Sequence, residues 1–245
     1  MSELSESNGD RRSSADPTTH KLKRIVEARQ KLRARFLKAM ASSPSVSDQT
    51  PLGHGPSNRH GMPQIPPGQH IVEKWPVLDL GITPTLLKES WSLEIDGLVA
   101  QPLKLSWEAL LELEQVEQRS DFHCVTTWSK LDMGWTGVPV STLLSLAEPL
   151  EEASFVLCHG ADGYTTNLPL SELLKEDVLL VHRWEGEPLP REHGGPARIV
   201  TPQLYAWKGT KWITRIEVIK EDRPGFWEQR GYSNTAYPWR DDRYS

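Results

Sequence analysis

Cysteine is nearly absent from this sequence: of 245 residues, only Cys124 and Cys158 carry a thiol. Two cysteines cannot staple a disulfide scaffold, and a reducing compartment is the simpler setting for them. Neither has partners at the C-x-x-C or H-x-x-x-H type of spacing that holds zinc, which argues against a zinc site. No run of roughly 18 or more apolar residues occurs, so no segment reads as a membrane span. Arg11 and Arg12 open like a twin-arginine export signal, yet Ser13 to His20 lack the apolar segment that must follow, and the expectation is a cytoplasmic protein. Positive charge is scarce where a nucleic-acid surface would need it. Residues 1–70 hold 11 Lys/Arg against 6 Asp/Glu, whereas residues 71–245 hold 17 against 27. A basic arm thus precedes an acidic body, and an acidic body offers no broad face for phosphates, which argues against a nucleic-acid partner.

What is present divides along the chain. Residues 1–19 are polar and read as disordered. Residues 20–40 carry a loose apolar stripe, Leu22, Ile25, Val26, Leu32, Phe36 and Leu37, among eight Lys/Arg between 21 and 40. This is the pattern of a basic amphipathic helix. It suits a membrane surface or a partner, including an oligomer formed through the arm, and suits better a solvated helix lying on its own acidic body. Six prolines between Pro44 and Pro67, set among Gly and Ser, give residues 41–70 the composition of a linker. The expected organisation is an arm and linker over 1–70 and one catalytic domain over 71–245.

Within the domain, Trp91, Leu93 and Ile95 alternate with polar residues and stop at Asp96-Gly97, a strand ending in a turn. Leu103–Leu105 reads as a short strand, and Ser106 caps a helix carrying Trp107, Leu110 and Leu111. Ser141/Thr142 and Ser171 open two more helices. Strands are expected at 154–158, 164–168, 178–183, 197–201 and 212–219. Strands outnumber helices without strict alternation, which predicts an α+β fold with mixed sheets and short helices.

The most unusual segment is Ser120-Asp121-Phe122-His123-Cys124-Val125-Thr126-Thr127-Trp128-Ser129. A strand-like approach ends in a cysteine and is followed by hydroxyls and tryptophan. Gly134 and Gly137 then read as a glycine turn before the next helix. Three readings of Cys124 compete: an inert core thiol, favoured from this segment alone; a nucleophile with His123, although neighbours in a strand face opposite ways; and a ligand to a metal that prefers soft sulfur.

Cys124-Val125-Thr126-Thr127-Trp128-Ser129, with Trp135-Thr136-Gly137-Val138-Pro139-Val140 beyond it, resembles the molybdopterin domain of the sulfite oxidase superfamily. It also resembles the smaller bacterial branch that includes the methionine-sulfoxide reductase catalytic subunit. The resemblance implies molybdenum and molybdopterin as cofactors, a sulfite oxidase-type fold, and Cys124 as the only protein ligand to the metal, the others being dithiolene sulfurs and oxo groups. Four further segments match in order. His193-Gly194-Gly195-Pro196-Ala197-Arg198 implies that His193 and Arg198 contact the pterin and its phosphate. Trp207-Lys208-Gly209-Thr210-Lys211 resembles the loop that closes over that phosphate, with Gly209, Thr210 and Lys211 holding it. Phe226-Trp227-Glu228-Gln229-Arg230-Gly231-Tyr232 implies Tyr232 and Arg230 near the metal. Trp75 and Pro76 fall where relatives approach the pterin from the N-terminal side, and His159 and Gly160 where the backbone does.

Departures from the family narrow the expectation. The expectation is a chain without a haem domain, an export signal or the second β-sandwich of sulfite oxidases. The arginine that helps bind sulfite there is matched here by Val72, beside Glu73. The expected function is two-electron oxygen-atom transfer on a small S- or N-oxide, with an unidentified electron donor or acceptor. A sulfite-oxidising enzyme and a non-catalytic pterin-binding protein are the alternatives, and a cysteine hydrolase ranks last. Cys158 and His182 read as core residues, the tryptophans as core and cofactor lining, and Asp241-Asp242-Arg243 as solvated surface.

Overall fold

The computed structural model describes residues 17–41 and 51–245. Residues 1–16, read from sequence as disordered, and 42–50, within the stretch of linker composition, lie outside the described residues. The elements run α1 (Pro17–Ala41), β1 (His54–Ser57), β2 (Pro63–Ile65), β3 (His70–Ile71), β4 (Ser92–Gly97), β5 (Leu103–Ser106), α2 (Trp107–Glu112), β6 (Val116–Cys124) and β7 (Trp128–Pro139). They continue α3 (Val140–Ala147), β8 (Phe155–Gly160), β9 (Thr165–Pro169), α4 (Leu170–Leu173), β10 (Leu179–Trp184), β11 (Glu187–Pro188), β12 (Arg198–Val200) and β13 (Ile213–Ile219).

Two mixed sheets make the body. One has five strands in the order β5-β4-β13-β8-β9; the other has six, β11-β10-β7-β3 with β6 on β7 and β12 on β10. β13 runs parallel to β4 and β3 parallel to β7, while the remaining pairs are antiparallel. This is the α+β architecture that the strand count predicted. Ser106 caps α2 as expected, its hydroxyl accepting from the Ala109 N–H at 3.2 Å, a bond whose loss typically costs about 1 kcal/mol. Between the sheets lies a dry core that includes Leu93, Ile95, Leu143, Val156, Ile213 and Cys158. His182, also buried, has Nε2 2.8 Å from Gln115 Oε1 and is the satisfied core histidine the sequence predicted.

Two local expectations fail for physical reasons. Gly134 and Gly137 make no turn; both lie inside β7, which pairs with β6 over most of its length. A Cβ at Gly137 would sit 2.2 Å from the Leu180 carbonyl oxygen, so the glycine serves close approach of β10 rather than chain reversal. Residues 51–70 are not linker but part of the body. The Leu52 N–H donates to Trp239 O at 2.7 Å, and Trp239 Nε1 donates to Pro63 O at 2.5 Å. Proline lacks an amide proton, but its carbonyl still accepts.

α1 starts three residues earlier than the apolar stripe predicted and lies on its own body. Its residues 22, 25, 26, 29, 30, 33 and 36 are partly buried while their neighbours 23, 24, 27 and 28 are exposed, the 3.6-residue period of a packed face. Leu22, Ile25 and Val26 pack against a second apolar cluster that includes Trp75, Cys124, Trp128 and Tyr232. Lys21 Nζ donates to Gly81 O at 3.0 Å, Gln30 Nε2 to Arg230 O at 2.7 Å and Arg33 Nε to Gly231 O at 2.9 Å. Among the described residues no helix is long and apolar enough to cross a membrane.

Candidate active site

β6 ends at Cys124, and the turn Val125–Thr127 reverses the chain into β7, with the Thr127 N–H bonded to Cys124 O at 3.1 Å. Thr127 takes a φ of +76° to close this turn, a conformation disfavoured for a β-branched residue. Strand alternation turns His123 away: its Nδ1 lies 2.8 Å from Ser129 Oγ and its ring meets Trp239 edge-on. No Cys124–His123 dyad is possible, which removes the hydrolase reading. The thiol instead lines a cleft shared with Trp75, Trp128, Arg198 and Tyr232. Thr126 Oγ1 stands 3.2 Å from its sulfur. Burial raises the thiol pKa, while Thr126, Arg29 and Arg243 act in the opposite sense.

The opposite end of the cleft is built for an anion. Arg198 is 3% exposed, and its guanidinium donates only to carbonyl oxygens: Ile199 at 3.3 Å, His193 at 3.0 Å and Gly209 at 3.0 Å. Desolvation depresses its pKa to about 9. A buried cation held by neutral acceptors is poorly compensated, which favours an incoming phosphate. Lys211 adds a second cation; its Nζ donates to Glu192 O at 2.7 Å, and burial and then Arg198 lower its pKa to about 7. A Cβ at Gly209 would stand 2.5 Å from Ile199 O, so only glycine brings this loop against Arg198. His193 stacks on Trp75 with centroids 3.8 Å apart and rings 2° from parallel. Desolvation, followed by the charge of Arg198, lowers the His193 pKa to about 4, so the ring is neutral near pH 7.

Cys124, Tyr232, Trp75, Pro76, His193, Arg198, Gly209 and Lys211 line one cleft. Tyr232 is 2% exposed, and its hydroxyl is buried without a hydrogen-bond partner among the described residues. The other predicted positions fall elsewhere. His159 is turned outward on β8 and bonds Glu217 Oε2 at 3.1 Å. Gly160 lies behind the loop, where a Cβ would stand 2.7 Å from Lys211 O. Thr210 is fully buried beneath it, its hydroxyl unpartnered among the described residues. Arg230 is drawn away from the cleft, with its Cζ 3.7 Å from the centre of the Phe226 ring and Nη1 donating to Phe226 O at 2.6 Å.

Trp128, Trp207 and Trp227 join Trp75 in the aromatic walls of the cleft. Sequence reasoning missed two parts. Arg243, expected on the surface, is 2% exposed: Nη1 donates to Val125 O at 2.7 Å and Nη2 to Pro67 O at 2.8 Å, bracing the Cys124 turn. Nothing in the Asp-Asp-Arg run announces this. Arg29, from α1, also lines the cleft; its signal was a cation standing in the apolar stripe.

These features fit a molybdenum-bearing pterin: a thiolate donor, an under-compensated buried arginine, a buried phenol and apolar walls. Among the described residues no cluster of three or more His, Cys, Asp or Glu side chains could hold an ion alone, so a metal at Cys124 needs donors that a cofactor brings.

Comparison with known proteins agrees. Residues 80–227 match the oxidoreductase molybdopterin binding domain, and the chain belongs to that family. It is an oxidoreductase whose cofactor is molybdenum held by molybdopterin. It is 42% identical over 183 residues to the uncharacterized oxidoreductase YuiH of Bacillus subtilis, covering 74% of this chain and 92% of that one. It is 34% identical over 157 residues to the protein-methionine-sulfoxide reductase catalytic subunit MsrP of Gluconobacter oxydans, covering 57% of this chain and 50% of that one. The crystal structure of the sulfane dehydrogenase SoxCD from Paracoccus pantotrophus superposes with a TM-score of 0.53 at 26% identity, covering 57% of this chain and 40% of that one. The chain thus spans most of the first relative and about half or less of the other two.

Proposed function

We propose that the protein reduces a small S- or N-oxide by two-electron oxygen-atom transfer in the cytoplasm, with Cys124 as the protein ligand to the metal. The observation that carries this reading is the thiol of Cys124 facing one cleft together with Arg198, Lys211 and the buried phenol of Tyr232. Likeness to a methionine-sulfoxide reductase subunit supports the substrate class. Two unpaired thiols, Cys124 and Cys158, suit a reducing compartment.

In this reading Arg198 and Lys211 hold the cofactor phosphate, Gly209 lets the loop backbone close on it, and Trp75 with His193 forms a flat wall for the pterin. When bound, the group supplies two-electron redox chemistry and oxygen-atom exchange. Tyr232 stays protonated, because burial raises its pKa well above the ordinary value. It can then donate a hydrogen bond to the oxide oxygen of the substrate. Overall the S=O bond breaks, two electrons arrive from an external carrier and two protons from solvent, and the oxygen leaves as water. We place the boundary of the catalytic domain near residue 51 rather than 71, because the β1–β2 hairpin bonds to Trp239.

The test is turnover of sulfoxides by molybdenum-replete protein with a reduced viologen dye as donor. Dye oxidation that depends on the sulfoxide supports the reading. Oxidation of sulfite with no reduction of any oxide would overturn it in favour of the sulfite-oxidising alternative.

A further inference from the structure

α1 lies outside the residues matched by the family model, yet it reaches the cleft. Its hydrogen bonds fix it beside two groups of lining residues. Lys21 holds Gly81 O, beside the lining residues Asp79 and Leu80. Gln30 and Arg33 hold the carbonyls of Arg230 and Gly231, beside the lining residue Tyr232. Phe36 extends the second contact, its ring 5.2 Å from that of Tyr244. Gln30 follows Lys21 by nine positions, about 14 Å of helix axis, so α1 is anchored at two points with Arg29, which lines the cleft, between them.

Arg29 sits in the packed face of α1, at the place where Leu22, Ile25 and Val26 would lead one to expect another apolar residue. It is partly buried, lines the cleft, and takes part in no ion pair or hydrogen bond among the described residues. It lies within electrostatic reach of both Cys124 and Tyr232. Arg198, which also lies within electrostatic reach of Cys124, is already engaged by the carbonyls of His193 and Gly209. A partly buried guanidinium facing a cleft with no carboxylate partner among the described residues is well suited to meet an anion.

We infer that α1 forms one wall of the substrate end of the cleft and that Arg29 binds an anionic group of the substrate. Within the reading above, on which this inference rests, the substrate is an S- or N-oxide that also bears a carboxylate or sulfonate. The oxide end meets Tyr232 and Cys124, and the charged end meets Arg29.

The test uses the molybdenum- and pterin-loaded full chain, in which Arg198 and Lys211 are already engaged. Wild type, R29Q and R29K are assayed with methylsulfinylacetate, which carries a carboxylate, and with neutral dimethyl sulfoxide; sulfate binding is measured separately by calorimetry. R29Q should raise KM for methylsulfinylacetate roughly 10- to 100-fold, the loss expected for a charge-assisted hydrogen bond. Values for dimethyl sulfoxide should stay within a few-fold, R29K should recover part of the loss, and sulfate should bind R29Q more weakly. The inference is overturned if R29Q changes neither KM for the carboxylated substrate nor sulfate affinity, or if it lowers kcat equally for both sulfoxides. If no variant reduces any sulfoxide, the proposed reaction fails while sulfate binding still decides the role of Arg29.

Discussion

Arg243 Nη1 donates to the carbonyl oxygen of Val125 at 2.7 Å, across 118 residues of sequence. Val125 immediately follows Cys124, so the C-terminal segment sets where the thiol turn lies. The same guanidinium reaches Pro67 O at 2.8 Å and, through Nε, Asp241 at 2.6 Å, while Gln69 Nε2 donates to Cys124 O at 3.1 Å. Two distant segments thus clamp the turn from one side.

Removing that clamp should loosen the ligand without touching it. Arg243→Leu should cut molybdenum retention and activity by roughly 10- to 100-fold, the usual cost of losing a group that orients a metal ligand. Elemental analysis beside a thermal melt checks this. A variant that keeps full metal occupancy would show that Arg243 serves the fold alone.

Arg198 carries the anion end. Lysine keeps the charge but loses the planar fork that grips two acceptors, and it cannot reproduce the hydrogen bonds to His193 O and Gly209 O. Arg198→Lys should therefore leave a folded protein with a large fraction of its pterin missing. Fluorescence of pterin released on denaturation measures the loss, and wild-type pterin content in the variant would contradict the assignment.

Stability should fall on the acid side through His182. Burial first, and then the nearby charges of Arg183 and Lys88, lower its pKa from the ordinary 6.5 to about 4 in the folded chain. Between those values the unfolded chain binds the extra proton, so folding stability rises with pH there and is progressively lost as pH drops from about 6.5 towards 4. Denaturant melts across this range should show the slope, and His182→Gln, which keeps a partner for Gln115, should flatten part of it. An unchanged slope would assign the effect to other groups, such as His193.

Much of the fold was legible because local signals and global architecture agree. Alternation at Trp91, Leu93 and Ile95 specified β4, and Ser106 announced α2. The long β6–β7 hairpin was harder, since Gly134 and Gly137 read as turn residues until the nearness of the Leu180 backbone supplied another reason for a glycine at 137. Cys124, Arg198 and Lys211 were singled out by the resemblance of their motifs to a family, since the Cys124 segment alone favoured a core thiol, and the structure brings all three to one cleft. The expectation at His159 concerned its backbone, and strand alternation turns its side chain outward to Glu217. Arg243 depends on long-range docking of the C-terminal segment, which no local pattern encodes, whereas the only local hint of Arg29 was a cation standing in the apolar stripe.

The central claim is that the sulfur of Cys124 bonds the metal. X-ray absorption at the molybdenum edge, on wild type and on Cys124→Ser loaded under the same conditions, tests it most directly. The account predicts one fewer sulfur neighbour in the variant, with pterin still bound through Arg198 and Lys211 and turnover abolished. An identical sulfur count in both proteins would contradict it.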